Sequence, residues 1–267
     1  MTALKLATWN INSVRLRAEL VGRFLRKHQP EVLCLQETKC PDDLFPAEAF
    51  KALGYVHQAI NGQKGYHGVA ILSRLPFKRI EKFAFCGKDD TRHVMAVFDV
   101  GLELHNFYVP AGGDEPDTKA NPKFAHKLAF LREMTERFDK MRRRRNTPVA
   151  LVGDLNVAPM ENDVWSHKQL LDVVSHTPIE VKLLGEAQAA FDWQDVTRSF
   201  VPPEKKIYSW WSYRAHDWEA ADKGRRLDNI WVSPGLKGAL SGHAIFKEAR
   251  GWKQPSDHVP VMATLAL

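Results

Sequence analysis

The chain has few cysteines and no long apolar run. Its three cysteines form no Cys-x-x-Cys pair, which argues against a thiolate zinc site and against a disulfide framework. An odd number of cysteines suits a reducing compartment. No stretch approaches the ~20 apolar residues that a membrane span requires, and the N-terminus lacks the apolar region of a secretory signal. We therefore expect a cytoplasmic protein with no membrane association.

The chain also lacks internal repeats, low-complexity tracts and Gly/Ser-rich linkers, so nothing in it marks a domain boundary. Its 267 residues are 44% hydrophobic, which is enough to bury a sizeable core. The 38 basic residues exceed the 32 acidic ones, giving a formal net charge of +6, and there are eight tryptophans. This composition is compatible with a polyanionic partner such as a nucleic acid, although charge alone does not identify one.

Short apolar runs rich in β-branched residues predict many strands, several of them covered on both faces. Strands outnumber helices, and the long helices lie between strands. This pattern favours an α/β sandwich over a doubly wound sheet. The predicted strands are residues 4–10, 31–37, 68–73, 95–100, 102–109, 149–156, 208–211, 227–233 and 259–267.

Two long segments have helical periodicity. One begins after Asn12-Ser13 and carries an apolar stripe from Leu16 to Leu25. The other runs from Phe124 to Met141 and is followed by four arginines, Arg142 to Arg145. A solvated helix end is the favoured interpretation of these arginines, and a nucleic-acid contact is the less favoured one.

Polar and charged side chains stand at the ends of many predicted strands. Neighbouring strand ends converge on one edge of a sheet, where α/β proteins commonly build sites. Charge at the end of a buried strand is costly unless something such as a metal ion or a phosphate compensates it. The residues concerned are Asn10, Asn12, Glu37, Tyr108, Asp154, Asn156, Asp228, Asp257 and His258.

These residue types indicate a class of reaction. Carboxylates and amides without cysteine are hard oxygen ligands, which favour Mg²⁺, Mn²⁺ or Ca²⁺ over zinc. A site with one histidine and no nucleophilic serine or cysteine motif argues against acyl transfer. The set suits hydrolysis of a phosphodiester, in which a metal neutralises developing charge, a base orients water, and amide and imidazole donors hold the phosphate.

Taken singly, each residue also has a structural explanation, and only their joint occurrence in this order favours a site. Tyr108 alone is more often a core aromatic, and His258 alone is more often structural. Helix capping would account for Asn10 and Asn12, and a turn would account for Asp154 and Asn156. An ion pair with Arg226 would account for Asp228.

Six motifs and one tyrosine carry a resemblance to a known family: Trp9-Asn10-Ile11-Asn12, Leu35-Gln36-Glu37-Thr38-Lys39, Gly65-Tyr66-His67-Gly68-Val69-Ala70 with Lys64 before it, Tyr108, Gly153-Asp154-Leu155-Asn156, Arg226-Leu227-Asp228 and Ser256-Asp257-His258. Over essentially its full length the chain resembles the exonuclease III family of DNA-repair nucleases. That family belongs to the endonuclease/exonuclease/phosphatase superfamily, which includes deoxyribonuclease I. The resemblance implies a DNase I-like four-layer α/β sandwich: two mixed, mainly antiparallel β-sheets face to face, with helices outside. It also implies a single catalytic domain over residues 1–267.

The resemblance further implies a Mg²⁺-dependent DNA phosphodiesterase of base excision repair, with Mn²⁺ able to substitute. Such enzymes cleave 5′ to abasic sites, digest duplex DNA from the 3′ end as exodeoxyribonucleases, and process blocked 3′ ends. The implied partner is double-stranded DNA with abasic sites or with recessed or blocked 3′ ends. We expect a monomer.

The same resemblance implies roles for individual residues. Glu37 resembles the principal metal ligand, with Asn10 nearby and Asp257 able to ligate or position the ion. The resemblance also implies that Asp154, Asn156 and His258 belong to the metal site.

The resemblance implies five catalytic residues: Tyr108, Asp154, Asn156, Asp228 and His258. Asp154 would orient or deprotonate the attacking water, and Asn156 would donate to the scissile phosphate. His258 would contact the same phosphate, held in its tautomer by Asp228. Tyr108 would bond a phosphate oxygen or serve as the base in place of Asp154, and the sequence leaves this choice open.

Residues implied to contact DNA are Asn12, Lys64, Arg92, Trp210, Arg225 and Leu227. Two departures from the family pattern concern the lesion pocket. Ala111-Gly112-Gly113 stands where relatives carry an amide side chain, and Arg225 stands where they place an apolar residue against the extruded deoxyribose. A cation there can contact phosphate but should weaken an apolar sugar pocket.

Two other functions compete with DNA cleavage. One is a phosphoesterase of the same superfamily that acts on inositol phosphates or lipids, against which the basic balance and the Lys64 loop argue. The other is a non-catalytic DNA-binding relative, against which the complete set of core residues argues.

Overall fold

The protein was analysed as a computed structural model, which describes residues 3–215 and 217–266. The strands within these ranges are β1 (Ala3–Asn10), β2 (Val32–Gln36), β3 (His57–Asn61), β4 (Val69–Ser73), β5 (Phe77–Glu81), β6 (His93–Phe98), β7 (Glu103–Tyr108), β8 (Val149–Asp154), β9 (Gln194–Asp195), β10 (Trp210–Trp211), β11 (Gly224–Arg225), β12 (Asp228–Val232), β13 (Leu240–Ile245) and β14 (Val261–Ala266). The α-helices are α1 (Ala18–His28), α2 (Ala47–Lys51), α3 (Pro122–Met141), α4 (His167–Leu170), α5 (Pro178–Ala190), α6 (Val196–Phe200) and α7 (Trp218–Ala221).

Twelve of the described strands form two six-stranded sheets. The first has the order β13-β14-β1-β2-β4-β3 and the second the order β5-β6-β7-β8-β12-β9. Each sheet contains one parallel pair, β1 with β2 and β7 with β8, and its other neighbours are antiparallel. The remaining strands, β10 and β11, pair with each other. The expectation of two mixed, mainly antiparallel sheets is confirmed.

The two sheets lie face to face because their strands alternate between two apolar faces. In β1, Leu4 and Leu6 point into the core between the sheets, whereas Ala7 and Trp9 belong to the cluster on the outer face. Helices α1 and α2 cover that outer face, and α3 and α5 cover the outer face of the second sheet. The result is the four-layer sandwich that the resemblance implied.

The first helix begins later than its pattern indicated. Asn12 and Ser13 have φ values of 47° and 85°, a left-handed conformation that cannot open a right-handed helix. Helix α1 therefore starts at Ala18, and Leu16, which the stripe placed inside, is 56% exposed. Helix capping as the explanation of Asn12 is wrong, because its side chain bonds to Asp257 instead.

Helix α5 was not among the predicted elements, although the sequence carries its start signal. The Thr177 hydroxyl accepts a hydrogen bond from the backbone NH of Glu180, Glu180 bonds back to Thr177, and Pro178 occupies the first turn. Strands β3, β5 and β13 were also missed, because they are only partly buried and lack continuous apolar runs.

Three of the four arginines after α3, Arg142, Arg144 and Arg145, form ion pairs with neighbouring elements. Arg142 bonds to both carboxylate oxygens of Asp192, at 3.0 and 2.9 Å, and Arg144 bonds to Glu103 at 2.6 Å. This agrees with the structural interpretation of the cluster. None of the helices in the described part of the chain is both long enough and apolar enough to cross a membrane.

Candidate active site

The strands bring six of the expected site residues to one end of the sandwich. Asn10 pairs with Gln36 in the parallel β1–β2 ladder, so the following residue, Glu37, lies beside Asn10. In the second sheet, Asp154 is the register partner of both Tyr108 and Asp228. His258 precedes β14, which pairs with β1.

A continuous chain of side-chain contacts links the two sheets at this end. The Asn10 amide nitrogen Nδ2 donates to Glu37 Oε1 at 2.9 Å and to Asp154 Oδ2 at 2.8 Å. Nε2 of His258 lies 3.6 Å from the same Asp154 oxygen. The other ring nitrogen of His258, Nδ1, lies 2.8 Å from Asp228 Oδ2. The order is therefore Glu37, Asn10, Asp154, His258 and Asp228.

His258 is held as a proton donor. Burial alone would lower its pKa, but the carboxylate of Asp228, followed by that of Asp154, raises the pKa well above the usual value. The imidazole is therefore protonated near neutral pH, and Nε2 carries a proton toward the site. An ion pair between Asp228 and Arg226 is absent in the described structure, because Arg226 bonds to Asp163 and Asp195. This structural explanation of Asp228 is wrong.

Asp154 has the properties of a base that works near neutral pH. Burial is the main cause that raises its pKa to about 7; the His258 charge opposes this rise, while Asp228 and Glu37 add to it. Its Oδ1 accepts the backbone NH of Asn156 at 2.9 Å, which fixes the carboxylate plane. A catalytic base is most effective when its pKa is close to the working pH.

Asn156 lies on a strained turn beside this carboxylate. Its φ of 53° is unusual for a residue other than glycine, and strain of this kind concentrates at functional sites. Its amide nitrogen donates to the Val109 carbonyl at 2.9 Å and to Asp154 Oδ2 at 3.1 Å. The amide is therefore fixed at the edge of the site and is only slightly exposed.

The Tyr108 hydroxyl is a hydrogen-bond donor in this structure. Its hydroxyl donates to Glu37 Oε1 at 2.9 Å, and burial, with the Glu37 and Asp154 charges, raises its pKa well above 10. A phenol of this kind stays neutral at working pH, which disfavours it as a base. Arg92 lies behind it: its guanidinium carbon is 5.0 Å from the Tyr108 ring centroid, and its Nε donates to Asp90 at 2.5 Å.

Side-chain oxygen atoms of Glu37 and its neighbour Asn12 already contact a positively charged group. Lys39 Nζ lies 2.7 Å from Glu37 Oε2 and 2.6 Å from Asn12 Oδ1, and so stands where a cation is favourable. Burial opposes ionisation of Glu37, but Lys39 and then the Asn10 amide outweigh it and lower the pKa of Glu37. Ionised hard oxygens of this type fit a Mg²⁺ or Mn²⁺ ion.

Ligand-type atoms of Asp154, Asp228 and His258 also lie within 4.8 Å of one another. A protonated imidazole between two carboxylates cannot ligate a metal through the same nitrogens. This group is therefore better described as an ion-paired triad, in which His258 is hydrogen-bonded to Asp228 and lies 3.6 Å from Asp154, than as a second metal site.

Asp257 joins two of the residues expected to contact DNA. Its Oδ1 accepts from Asn12 at 3.1 Å and its Oδ2 accepts from the indole of Trp210 at 3.0 Å. Lys64 lies apart from this group, exposed on the loop between β3 and β4. Arg92, another expected contact, is buried and already paired with Asp90, so it is poorly available to a ligand.

A cavity of about 500 Å³ opens beside the catalytic residues. Glu37, Asn156, Asp257 and His258 line one part of it. Its other walls include three residues that the sequence singled out as DNA contacts: Trp210, Arg225 and Leu227.

The sequence did not assign two buried residues that support this site. The Lys127 ammonium forms an ion pair with Glu180 and donates to the Asn156 carbonyl at 2.7 Å; both charged side chains are fully buried. The available signal was a lysine within the apolar stripe of α3, between Phe124 and Leu128, where a charge requires a partner.

Comparisons with known proteins agree with this geometry. The family model described as "Endonuclease/Exonuclease/phosphatase family" matches residues 7–258. Exodeoxyribonuclease III of Haemophilus influenzae is 30% identical over 97% of this chain and 99% of its own length. An AP endonuclease from Archaeoglobus fulgidus superposes with a TM-score of 0.91 at 30% identity, covering 99% of this chain and 100% of that one. The 3′ phosphatase NExo from Neisseria, solved bound to a product DNA hairpin, gives a TM-score of 0.89 at 31% identity, covering 98% and 99%. The chain belongs to the endonuclease/exonuclease/phosphatase family.

Proposed function

We propose that residues 1–267 act as one catalytic domain that hydrolyses phosphodiester bonds of DNA during repair. The relatives are named as an exodeoxyribonuclease, an AP endonuclease and a 3′ phosphatase. These names share one reaction: water attacks a phosphate of a DNA strand and releases a 3′ oxygen. Cleavage 5′ to abasic sites, 3′→5′ digestion and removal of blocked 3′ ends are all forms of it.

One observation carries the proposal: the chain of contacts from Glu37 through Asn10, Asp154 and His258 to Asp228. It holds an ionised oxygen donor and a protonated imidazole at the rim of one cavity, with the buried base, Asp154, between them in the chain of contacts. Each group has the protonation state that phosphodiester hydrolysis needs, because its neighbours set its pKa.

Each of these residues has a separate role in the reaction. His258 donates a hydrogen bond to a non-bridging oxygen of the scissile phosphate, where negative charge develops. Asn156 donates a second one by exchanging its hydrogen bond to Asp154 for one to the phosphate. Asp154 orients the attacking water and accepts its proton. As the water oxygen bonds to phosphorus, the bond from phosphorus to the 3′ oxygen breaks. Tyr108, kept neutral by burial, orients Glu37 and serves as a donor instead of the base.

The proposed metal ligands are Glu37, Asn10 and Asp257, with Asp154 within reach. Mg²⁺ is the proposed ion and Mn²⁺ its substitute, since the donors are carboxylate and amide oxygens. When bound, such an ion supplies charge neutralisation for the phosphate. Lys39 would turn from Glu37 toward Asn12, to which it is already bonded.

Double-stranded DNA is the proposed partner, bound as a monomer and mainly through its backbone. Asn12, Lys64 and Trp210 are the proposed contacts outside the catalytic group. Backbone binding predicts little sequence preference and a steep loss of affinity with added salt. Activity on inositol phosphates with abasic duplex left intact would contradict this proposal.

The test measures cleavage of a duplex with an abasic-site analogue and digestion of a recessed 3′ end. We expect Glu37→Gln, Asp154→Asn and His258→Ala each to lower kcat by about 10²–10⁴-fold. Asp99→Asn is the matched control, since it makes the same amide change on an exposed carboxylate at the opposite end of the sheet. Exhaustive EDTA should abolish cleavage, and Mg²⁺ or Mn²⁺ should restore it. Near wild-type turnover in any of the three variants, or in EDTA, would refute the assignment.

A further inference from the structure

Arg225 is built rigidly into the wall of the cavity. Strand β11 pairs it with Trp210 of β10, and its guanidinium carbon lies 5.2 Å from the centroid of the Trp210 ring. Its Nη1 donates to the Val174 carbonyl at 2.9 Å and to Ser175 Oγ at 2.7 Å. Glu180 fixes the same loop, because its carboxylate accepts the Ser175 backbone NH. The guanidinium is thus held in one place.

This guanidinium has no counter-ion. Among the residues that the structure describes, no carboxylate oxygen lies within 4.0 Å of Arg225, and its Nε is buried without a hydrogen-bond partner. The next residue is a contrast: Arg226 is fully buried and forms ion pairs with Asp163 and Asp195. Burial lowers the pKa of Arg225 despite an opposing effect of the Glu180 carboxylate, whereas at Arg226 the acids Asp195 and Asp163 outweigh burial and raise the pKa. Glu180 itself is ion-paired with Lys127, and a half-buried charge without an ion pair of its own is costly unless a ligand neutralises it.

The surroundings of Arg225 add to this positive charge. Lys223 and Arg214 line the same cavity, and neither forms an ion pair within the described chain. Lys223 Nζ lies 4.6 Å from the centroid of the Trp165 ring. The acids on the cavity wall are Glu37 and Asp257, which belong to the catalytic group, and Asp114 on an exposed loop. The wall around Arg225 therefore favours a negatively charged ligand.

We propose that Arg225 is a specificity-determining residue that selects substrates with an anionic group, a carboxylate or a phosphate, on the 3′ side of the cleaved phosphate. This inference rests on the proposed function. Water attacks phosphorus and gives a proton to Asp154, the bond from phosphorus to the upstream 3′ oxygen breaks, and that oxygen takes a proton from solvent to become the 3′ hydroxyl. The phosphate keeps its 3′-side substituent, whose charge meets Arg225 beside Trp210. An uncharged deoxyribose makes no such ion pair.

The experiment compares substrates with and without this anionic group. Two duplexes carry the same 3′ phosphodiester, one esterified with glycolate and the other with uncharged ethylene glycol of nearly equal size. A second pair carries a 3′-terminal abasic analogue with and without a 3′ phosphate. The ratio of kcat/KM within each pair is measured for wild type, Arg225→Gln and Arg225→Lys at constant ionic strength. Arg143→Gln, on an exposed turn outside the cavity, is the control for loss of one positive charge.

We expect the wild type to favour the anionic member by about 10- to 100-fold, the factor that a charge-assisted hydrogen bond confers. The glycolate pair reports recognition of a carboxylate, and the abasic pair recognition of a phosphate. The ratio should fall toward one in Arg225→Gln, recover partly in Arg225→Lys and stay high in Arg143→Gln. Because each ratio is internal to one protein, partial misfolding of a variant cancels.

Two outcomes overturn the inference and leave the proposed function standing. They are a wild-type ratio near one in both pairs, and a high ratio that persists in Arg225→Gln. Folded wild-type protein that cleaves none of the four duplexes in Mg²⁺ or Mn²⁺ contradicts the proposed function instead.

Discussion

The buried ion pair between Lys127 and Glu180 gives the most demanding test of this structure. Lys127 lies on α3 and Glu180 on α5, and both side chains are fully excluded from solvent. The ammonium also donates to the carbonyls of Asn156, at 2.7 Å, and Ala111, at 3.2 Å. One pair of charges therefore fixes two loops at the cavity and the helix layer behind them.

The expected cost of Lys127→Met follows from the contacts that remain. Removing one partner of a buried ion pair typically costs about 3–5 kcal/mol, because the other charge is left unpaired. Here the Glu180 carboxylate keeps hydrogen bonds from the backbone of Ser175 and Thr177 and from the Thr177 hydroxyl. These bonds reduce the penalty, so we place the loss near the low end, at about 3 kcal/mol. Glu180→Gln should cost a similar amount, since it leaves the ammonium without a counter-ion.

The assay is urea denaturation at neutral pH, followed by fluorescence of the tryptophans. The double variant Lys127→Met/Glu180→Gln completes a cycle and should be more stable than the sum of the single losses predicts, by about 2 kcal/mol. Lys182→Met, an exposed lysine of α5, is the control and should change stability by less than about 0.5 kcal/mol. Single losses below about 1 kcal/mol, or additive losses in the double variant, would refute the reasoning.

Three further predictions concern other charged groups. Asp228→Asn should lower kcat by about 10- to 150-fold with little change in KM, since the charged hydrogen bond that holds His258 is lost; equal losses in kcat and substrate affinity would contradict this role. Asp163→Asn should lower the free energy of unfolding by about 3 kcal/mol, because Arg226 is fully buried against it, and a urea midpoint unchanged from wild type would count against that. Burial opposes ionisation of Glu103, but hydrogen bonds from His105 and Arg144 outweigh it and lower the pKa of Glu103 from 4.5 to about 2. The ionised carboxylate therefore stabilises the fold fully above about pH 4.5, and this stabilisation is lost as the pH falls toward 2. The gap in stability between wild type and Glu103→Gln should therefore narrow between about pH 5 and pH 3, and a constant gap would exclude the mechanism.

The sequence by itself determined the fold class and the set of catalytic candidates. Alternating apolar residues define strands locally, and the two faces of strands such as β1 already imply a layer on each side. The polar residues Asn10, Glu37 and Asp154 interrupt such runs, which marks them without knowledge of their partners. Their gathering at one end of the sheets then follows from how strands pair.

Only the tertiary structure decided which charged groups meet. Arg226 has Asp228 two positions away in the sequence, yet it bonds to Asp163 and Asp195, while Asp228 bonds to His258. Arg226 lies between β11 and β12, outside the strand that carries Asp228, and each of the two pairs with a side chain brought in from a distant segment. The same reason explains the contrast between Arg225 and its neighbour. The sequence shows two adjacent arginines. Only three-dimensional packing pairs Arg226 with two acidic residues and leaves Arg225 at the substrate cavity without an ion pair.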